Sequence, residues 1–220
     1  MGDQPAGGHR FNPTILREYD VRGVVGETLG ETDARAIGQS FAVVMREAGA
    51  RSIAVGRDGR LSSPALEAAL IGGLLGSGID VVRVGLGPTP MLYYAANTLD
   101  VDAAIMVTGS HNPPTHNGFK LTLAKKPFFA RDILRLGEIA ARGNFPQGAG
   151  RSSERSVLEG YVERLLKDYG VKEDEIVSLE AAIKAEVQEA VRFAEQSPEA
   201  DANTVWDYVY ANPDTDPRKM

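Results

Sequence analysis

Ser110, His111 and Asn112 bring a hydroxyl, an imidazole and an amide together in the run Thr108-Gly109-Ser110-His111-Asn112-Pro113-Pro114. The run follows Ala103-Ala104-Ile105-Met106-Val107, a continuous apolar stretch that reads as a buried strand. It precedes a second strand-like stretch, Asn117 to Leu123. Open α/β sheets put ligand chemistry on loops at strand ends. Gly109 permits a backbone shape that other residues resist, and Pro113-Pro114 stiffens the exit. Such a loop presents the Ser110 hydroxyl in one fixed direction for hydroxyl-centred chemistry. The plainer reading is a turn in which Ser110 and Asn112 only satisfy backbone groups.

The flanking elements must form a frame that holds this loop. Val21 to Val25 reads as a first strand, and Thr32 can cap a helix running to about Ala48. Ser52 to Gly56 reads as a strand. Ser63-Pro64 opens a helix that continues to about Leu75 and ends at Gly76-Ser77-Gly78. Asp80 to Val84 is a strand, and Met91 to Asn97 a helix leading into the strand before Ser110. Ala130 to Arg142 is a further amphipathic helix. This alternation predicts an α/β fold, a mixed sheet with helices on both faces, over residues 1–150. Asn144 to Ser153, rich in Gly and Ser, reads as a linker. A helix from about Glu154 to Tyr169, ended by Gly170, completes a connecting segment over 151–170. Residues 171–220 read as an acidic helical tail. From Glu173 to Glu195 there is no Gly or Pro, and Ile176, Leu179, Ile183, Val187 and Val191 recur at helical spacing. A short helical turn over Thr204 to Val209 carries Trp206 and Tyr208.

The 220 residues are 43% hydrophobic and 25% charged, enough for a packed core. The absence of cysteine excludes disulfides, thiol catalysis and cysteine metal sites. No apolar run is long enough to span a bilayer, and Met1 to Arg10 lacks a signal-peptide core, so a cytoplasmic protein with no membrane partner is expected. The net charge of -6 is uneven: residues 171–220 hold 12 acidic and 5 basic residues, while the preceding part is near neutral. An acidic tail argues against a nucleic-acid partner.

The serine run resembles the active-serine signature of the α-D-phosphohexomutases. Three further segments are similar to that family and stand in its order. They are Asn12 to Gly23, containing Tyr19-Asp20-Val21-Arg22-Gly23; Val55 to Pro64, containing Gly56-Arg57-Asp58-Gly59-Arg60; and Gly85 to Pro90. Four segments in order are far more specific than one short motif. The resemblance implies the family's α/β domain, a phosphoserine at Ser110, and phosphoryl transfer on α-D-hexose 1- and 6-phosphates. It implies Mg²⁺ as cofactor and a hexose 1,6-bisphosphate as activator. It also implies that Tyr19 and Arg22 approach the substrate.

Phosphoryl transfer needs positioning and positive charge more than covalent help. Phosphorylated Ser110 would offer oxygens to Mg²⁺, a hard cation. Arg22, with its fork, and Lys120, with its compact charge, could neutralise phosphoryl oxygens. Lys120 could also exchange a proton with a sugar hydroxyl, and His111 could orient Ser110. The catalytic set is therefore Ser110, His111, Lys120 and Arg22, with Tyr19, Arg22 and Lys120 toward the substrate and phosphoserine 110 toward the metal. Taken singly, Arg22 reads equally as a surface ion pair and Lys120 as the outward residue of a strand. Arg57, Asp58 and Arg60 read as substrate contacts or as a loop held by Arg-Asp pairing. His116 reads as a turn residue and His9 as a solvated one.

The match stops near Gly170. The family's Asp-Gly-Asp-x-Asp-Arg metal loop, its Gly-Glu-x-Ser-Gly-His sugar loop and its C-terminal phosphate loop do not occur in this chain. The resemblance therefore implies a chain that is inactive as a mutase by itself. The segment from Tyr169-Gly170-Val171 through Phe193-Ala194-Glu195-Gln196 to Val205-Trp206-Asp207-Tyr208 resembles the C-terminal end of the pyruvate dehydrogenase alpha subunit. This implies a fusion near residue 170, or a tail that docks on a protein partner. No Gly-Asp-Gly thiamine-diphosphate motif accompanies it.

Overall fold

The computed structural model describes residues 8–198. In chain order the elements are β1 (Val21–Val24), α1 (Glu31–Glu47), β2 (Ser52–Arg57), α2 (Ser63–Gly76), β3 (Asp80–Leu86) and α3 (Thr89–Thr98). They continue with β4 (Ala103–Val107), β5 (His116–Leu123), β6 (Lys126–Pro127), α4 (Arg131–Arg142), β7 (Ser152–Glu154), α5 (Leu158–Tyr169) and α6 (Glu173–Gln196). Two compact units divide at Leu165/Leu166.

The first unit is built on one sheet of order β1-β5-β4-β2-β3-β7, with β6 hairpinned onto β5. Strands β4, β2, β3 and β7 run parallel, and β5 runs antiparallel to both β4 and β1. The expected mixed sheet is thus present. Strand alternation assigns its two faces. Ile53, Val55, Ile105, Val107, Phe119 and Leu121 point to one core with α1, α2 and α4. Ala54, Val84, Ala104 and Met106 point to the other with α3. Helices α1 and α2 pack closely because Gly38 and Gly73 face each other's backbone, where a Cβ would overlap the opposing chain.

Because β3 and β4 flank β2 on opposite sides, the chain winding reverses there. Loops at the carboxyl ends of β2 and β4 meet at this switch point, the place where open α/β sheets leave a crevice. Asp58 N–H donates to the Val107 carbonyl at 2.9 Å and ties the two ends together.

Several local expectations are corrected. Thr32 lies inside α1, whose cap is Gly30; the Asp33 carboxylate accepts the Gly30 N–H at 2.8 Å. The same carboxylate meets His9 Nε2 at 2.7 Å, so His9 is paired rather than solvated. The stretch 144–153 is not a slack linker. Gly148 and Gly150 N–H donate to the Gly76 and Leu75 carbonyls, and β7 adds a parallel edge strand beside β3. The helix expected from Glu154 therefore begins only at Leu158, because Ser152–Glu154 is extended and paired. Gly170, at φ +63°, follows α5, as expected for a left-handed helix end. Helix α6 spans the expected acidic periodic segment, with three carboxylates in its first turn. The expected turn carrying Trp206 and Tyr208 lies outside the described residues. No helix among the described residues is long and apolar enough to cross a membrane.

Candidate active site

The loop between β4 and β5 is held from below by its backbone and left open at Ser110. Thr108 N–H donates to the Gly118 carbonyl at 2.9 Å, and the Thr108 hydroxyl accepts Ser110 N–H at 2.9 Å. Ser110 itself sits at φ +52°, a left-handed conformation that a β-carbon makes unfavourable. The backbone freedom expected of Gly109 is thus used one residue later. Gly109 is required for a different reason: a Cβ there would overlap the Arg60 guanidinium. Asn112 does what the plainer reading assigned it, donating both backbone and side-chain N–H to the Gly109 carbonyl, at 3.1 and 3.2 Å. Ser110 does not. Its hydroxyl is exposed, and among the described residues its one hydrogen-bond partner is His111 Nδ1 at 3.3 Å. A strained residue with an uncommitted hydroxyl is a mark of a functional position.

Arg60 and Asp58 form the floor. The Arg60 guanidinium donates to four loop carbonyls: Pro113 and Asn112 at 2.6 Å, Ser110 and His116 at 3.0 Å. Asp58 accepts the Ser63 hydroxyl at 2.6 Å and the Gly109 and Arg60 N–H groups at 2.9 and 3.1 Å. Burial pushes the Asp58 carboxyl up. The Ser63 hydroxyl, the Arg60 N–H, the Thr108 hydroxyl and the Gly109 N–H outweigh that and hold it below its usual value. Of the two readings of these residues, this is the loop held by Arg-Asp pairing. Arg57 turns away to Glu67, at 3.3 Å. His116 opens β5, with its ring nitrogen 3.2 Å from the Thr115 hydroxyl.

Arg22 is only 2% exposed, which rules out a surface ion pair. On β1, paired with Gly118 of β5, it reaches under the loop. One terminal nitrogen donates to the Gly109 carbonyl and the other to Asp20. Lys120 Nζ lies 3.4 Å from the same Asp20 oxygen. Asp20 is a site residue that type and motif alone do not assign. It couples the two cations, and its place two residues before Arg22 on the approach to a strand was the available signal.

Lys120 projects from the face of β5 opposite Phe119 and Leu121. There it lines a cleft of about 520 Å³ with Tyr19, Tyr93, Asn97, Lys125 and Phe129. Tyr19 is exposed at its mouth. The structure therefore gathers Ser110, His111 and Arg22 at the loop and Tyr19 and Lys120 in this cleft, with Asp20 bridging the groups. Among the described residues no cluster of three or more His, Asp or Glu is placed to hold a metal ion. Asp58, the carboxylate nearest the loop in hydrogen-bond terms, is committed to four donors. Carboxylates of the described residues thus do not fit a Mg²⁺ cage.

Residues 13–141 match the family model described as phosphoglucomutase/phosphomannomutase, alpha/beta/alpha domain I. A phosphomannomutase/phosphoglucomutase of Pseudomonas aeruginosa is 42% identical over 155 residues, covering 70% of this chain and 34% of that protein. A phosphoglucomutase of Neisseria gonorrhoeae is 37% identical over 169 residues, covering 76% of this chain and 37% of that protein. The crystal structure of a phosphoglucomutase/phosphomannomutase family protein from Burkholderia thailandensis superposes with a TM-score of 0.69 at 42% identity, covering 72% of this chain and 36% of that one. The chain spans about a third of the length of the curated relatives it matches. With the fold, the loop and most of the chain in agreement, this protein belongs to the phosphoglucomutase/phosphomannomutase family and carries its first α/β/α domain.

Proposed function

We propose that the chain takes part in phosphohexomutase-type phosphoryl transfer on α-D-hexose 1- and 6-phosphates, with Ser110 as the residue that carries the phosphoryl group. The strained, exposed Ser110, with its hydroxyl free of backbone duty, is the observation that carries this reading. In the transfer, a sugar hydroxyl attacks phosphoserine 110; the new O–P bond forms as the Ser110 Oγ–P bond breaks. Lys120, beside the cleft lined by Tyr19, neutralises phosphoryl oxygens and exchanges the proton with the sugar hydroxyl. Arg22 fixes the loop through the Gly109 carbonyl and adds buried positive charge beneath it. His111 orients the serine hydroxyl. Mg²⁺ and a hexose 1,6-bisphosphate belong to the proposal through the family. The metal would meet the oxygens of phosphoserine 110 and supply charge there. Because the metal and sugar loops do not occur in these residues, the chain by itself holds the phosphoryl group without completing the mutase cycle. A cytoplasmic setting, with its phosphorylated sugars, is part of the same reading.

The test is incubation of the full chain with glucose 1,6-bisphosphate and Mg²⁺, followed by peptide mass spectrometry. Phosphate is expected on the peptide holding Ser110 and on no peptide of Ser110→Ala. An unlabelled wild-type chain would refute the carrier role.

A second reading concerns the second unit. Helix α6 buries none of its residues, and Leu179, Ile183, Val187 and Val191 form an exposed stripe. We propose that this stripe docks on a protein partner, in the manner implied by the pyruvate dehydrogenase alpha resemblance. Light scattering on the full chain and on residues 1–170 tests self-association by the tail; identical monomers exclude it.

A further inference from the structure

Three arginines converge on a second cleft, of about 390 Å³, at the carboxyl ends of the parallel strands. Arg57 ends β2, Arg83 stands on β3, and Arg155 follows β7. The strand order places this cleft on the same sheet edge as Ser110 but on the other side of β2 from β4. Nothing in the Ser110 reading uses it.

The charges do not balance. Glu67, 1% exposed on α2, meets Arg57 Nε at 3.3 Å and Arg83 Nη2 at 3.2 Å through a single oxygen, Oε2. Its second oxygen, Oε1, is buried without a partner. Arg83 Nη1 reaches Glu154 at 2.7 Å. Two carboxylates therefore serve three guanidiniums, and exposed Arg155 has no acceptor among the described residues. The two carboxylates also differ in kind. Glu67 is locked in. Glu154 is 75% exposed, and an exposed ion pair contributes little and is easily exchanged.

The local backbone is shaped around the cleft. The β2–β3 register slips between Val55 and Gly56, leaving Val84 as an extra residue, and Gly85 follows at φ +82°. Such bulges turn a strand end and recur beside sites. The first turn of α5, whose N–H groups lack intrahelical acceptors, borders the cleft at Leu158. The Ser156 hydroxyl there accepts Leu158 N–H at 3.4 Å and keeps its own proton for donation.

We propose that this cleft binds a phosphate or phosphoryl group. The Arg155 and Arg83 forks grip its oxygens, Ser156 donates to it, and Glu154 swings out as it enters. Planar guanidinium forks match phosphoryl oxygens in bidentate fashion. Glu67 stays behind to hold Arg57 and Arg83 in place. The volume accommodates the phosphate together with a small attached body, so free phosphate and a phosphorylated sugar are the two sources to distinguish.

The experiment is calorimetric titration of the full chain with inorganic phosphate and, separately, with glucose 6-phosphate. Saturable binding is expected, weakened on the order of tenfold in Arg155→Ala, the size of one charge-assisted contact. Binding should tighten in Glu154→Gln, where the competing carboxylate is neutral. Arg151→Ala removes the same charge from a highly exposed arginine paired with Asp80 outside the cleft, and should change nothing. If glucose 6-phosphate binds at least as well as phosphate with the same variant pattern, the phosphorylated sugar is the ligand; phosphate binding alone identifies free phosphate. Absence of saturable binding, or equal weakening by Arg155→Ala and Arg151→Ala, would each overturn the proposal.

Discussion

Arginine is used in two different ways along one edge of this sheet. Around Ser110, the guanidiniums of Arg60 and Arg22 spend most of their N–H groups on backbone carbonyls, four for Arg60 and that of Gly109 for Arg22, and each meets one carboxylate, Asp58 or Asp20. On the neighbouring strands β2 and β3, Arg57 and Arg83 point at carboxylates, and Arg155 points at none among the described residues. A cation over carbonyls fixes backbone shape, and here a single carboxylate, Asp58 or Asp20, offsets each cation while its other N–H groups hold the loop. A cation over a carboxylate has that charge cancelled, and only a surplus one remains to attract an anion. The first cluster is built to position; the second is built to balance, with one residue left over.

The largest effect that would sharpen this contrast is expected at Arg22. Arg22→Met removes a buried cation from the Gly109 carbonyl, which keeps only Asn112, and leaves mostly buried Asp20 only the longer Lys120 contact, at a cost of about 3 kcal/mol in denaturant unfolding. A cost below about 1 kcal/mol would show that Arg22 does not hold the loop.

Next comes Gly73→Val, remote from both clusters. Its side chain would collide with the Arg35 backbone across the α1–α2 contact and should cost about 1–3 kcal/mol by overpacking. Loss of stability without change in Ser110 labelling of the folded fraction would show that frame and loop are separable.

Arg60→Lys keeps the charge but not the fork. It should cost about 1–2 kcal/mol and speed amide hydrogen exchange in residues 109–116. Unchanged exchange there would contradict the clamp.

Acid should act on the first cluster through Asp58. Its folded carboxyl titrates below the unfolded one, so its contribution is complete above about pH 4 and is lost as pH falls through the folded value. The stability profile of Asp58→Asn should therefore be flatter than wild type on the acid side, and parallel profiles would exclude this linkage. The smallest effect belongs to the second cluster. Arg155→Ala should leave stability within about 0.5 kcal/mol, since exposed Arg155 holds nothing in place. A larger loss would mean that Arg155 is structural and the cluster has no surplus cation.

Much of the frame was legible because its signals are local. Ala103–Val107 is a fully buried strand as its unbroken apolar run indicated, and α6 follows the stretch without Gly or Pro to within a residue at its C-terminal end. The site was legible in part. Ser110, Arg22, Lys120 and Tyr19 stood out by type and motif, whereas Asp20, which joins two of the cations, did not. A carboxylate two residues before an arginine gives no sign of which lysine, 100 residues later, will share its oxygen.

What the sequence determined by itself is therefore the main helices and central strands, the family motifs and the identity of the loop, since these depend on periodicity and turn chemistry over a few neighbouring residues. Only the tertiary structure decided the rest. It turned 152–154 into an edge strand, because the Arg151 carbonyl meets the Val81 N–H across the chain. It put the left-handed backbone at Ser110, and it requires glycine at 109 because the Arg60 guanidinium fills the space a Cβ would take. It left Arg155 without a carboxylate among the described residues, because Glu67 and Glu154 were drawn to Arg57 and Arg83. Each outcome is a competition among groups far apart in the chain, settled by which of them the sheet brings within hydrogen-bonding distance.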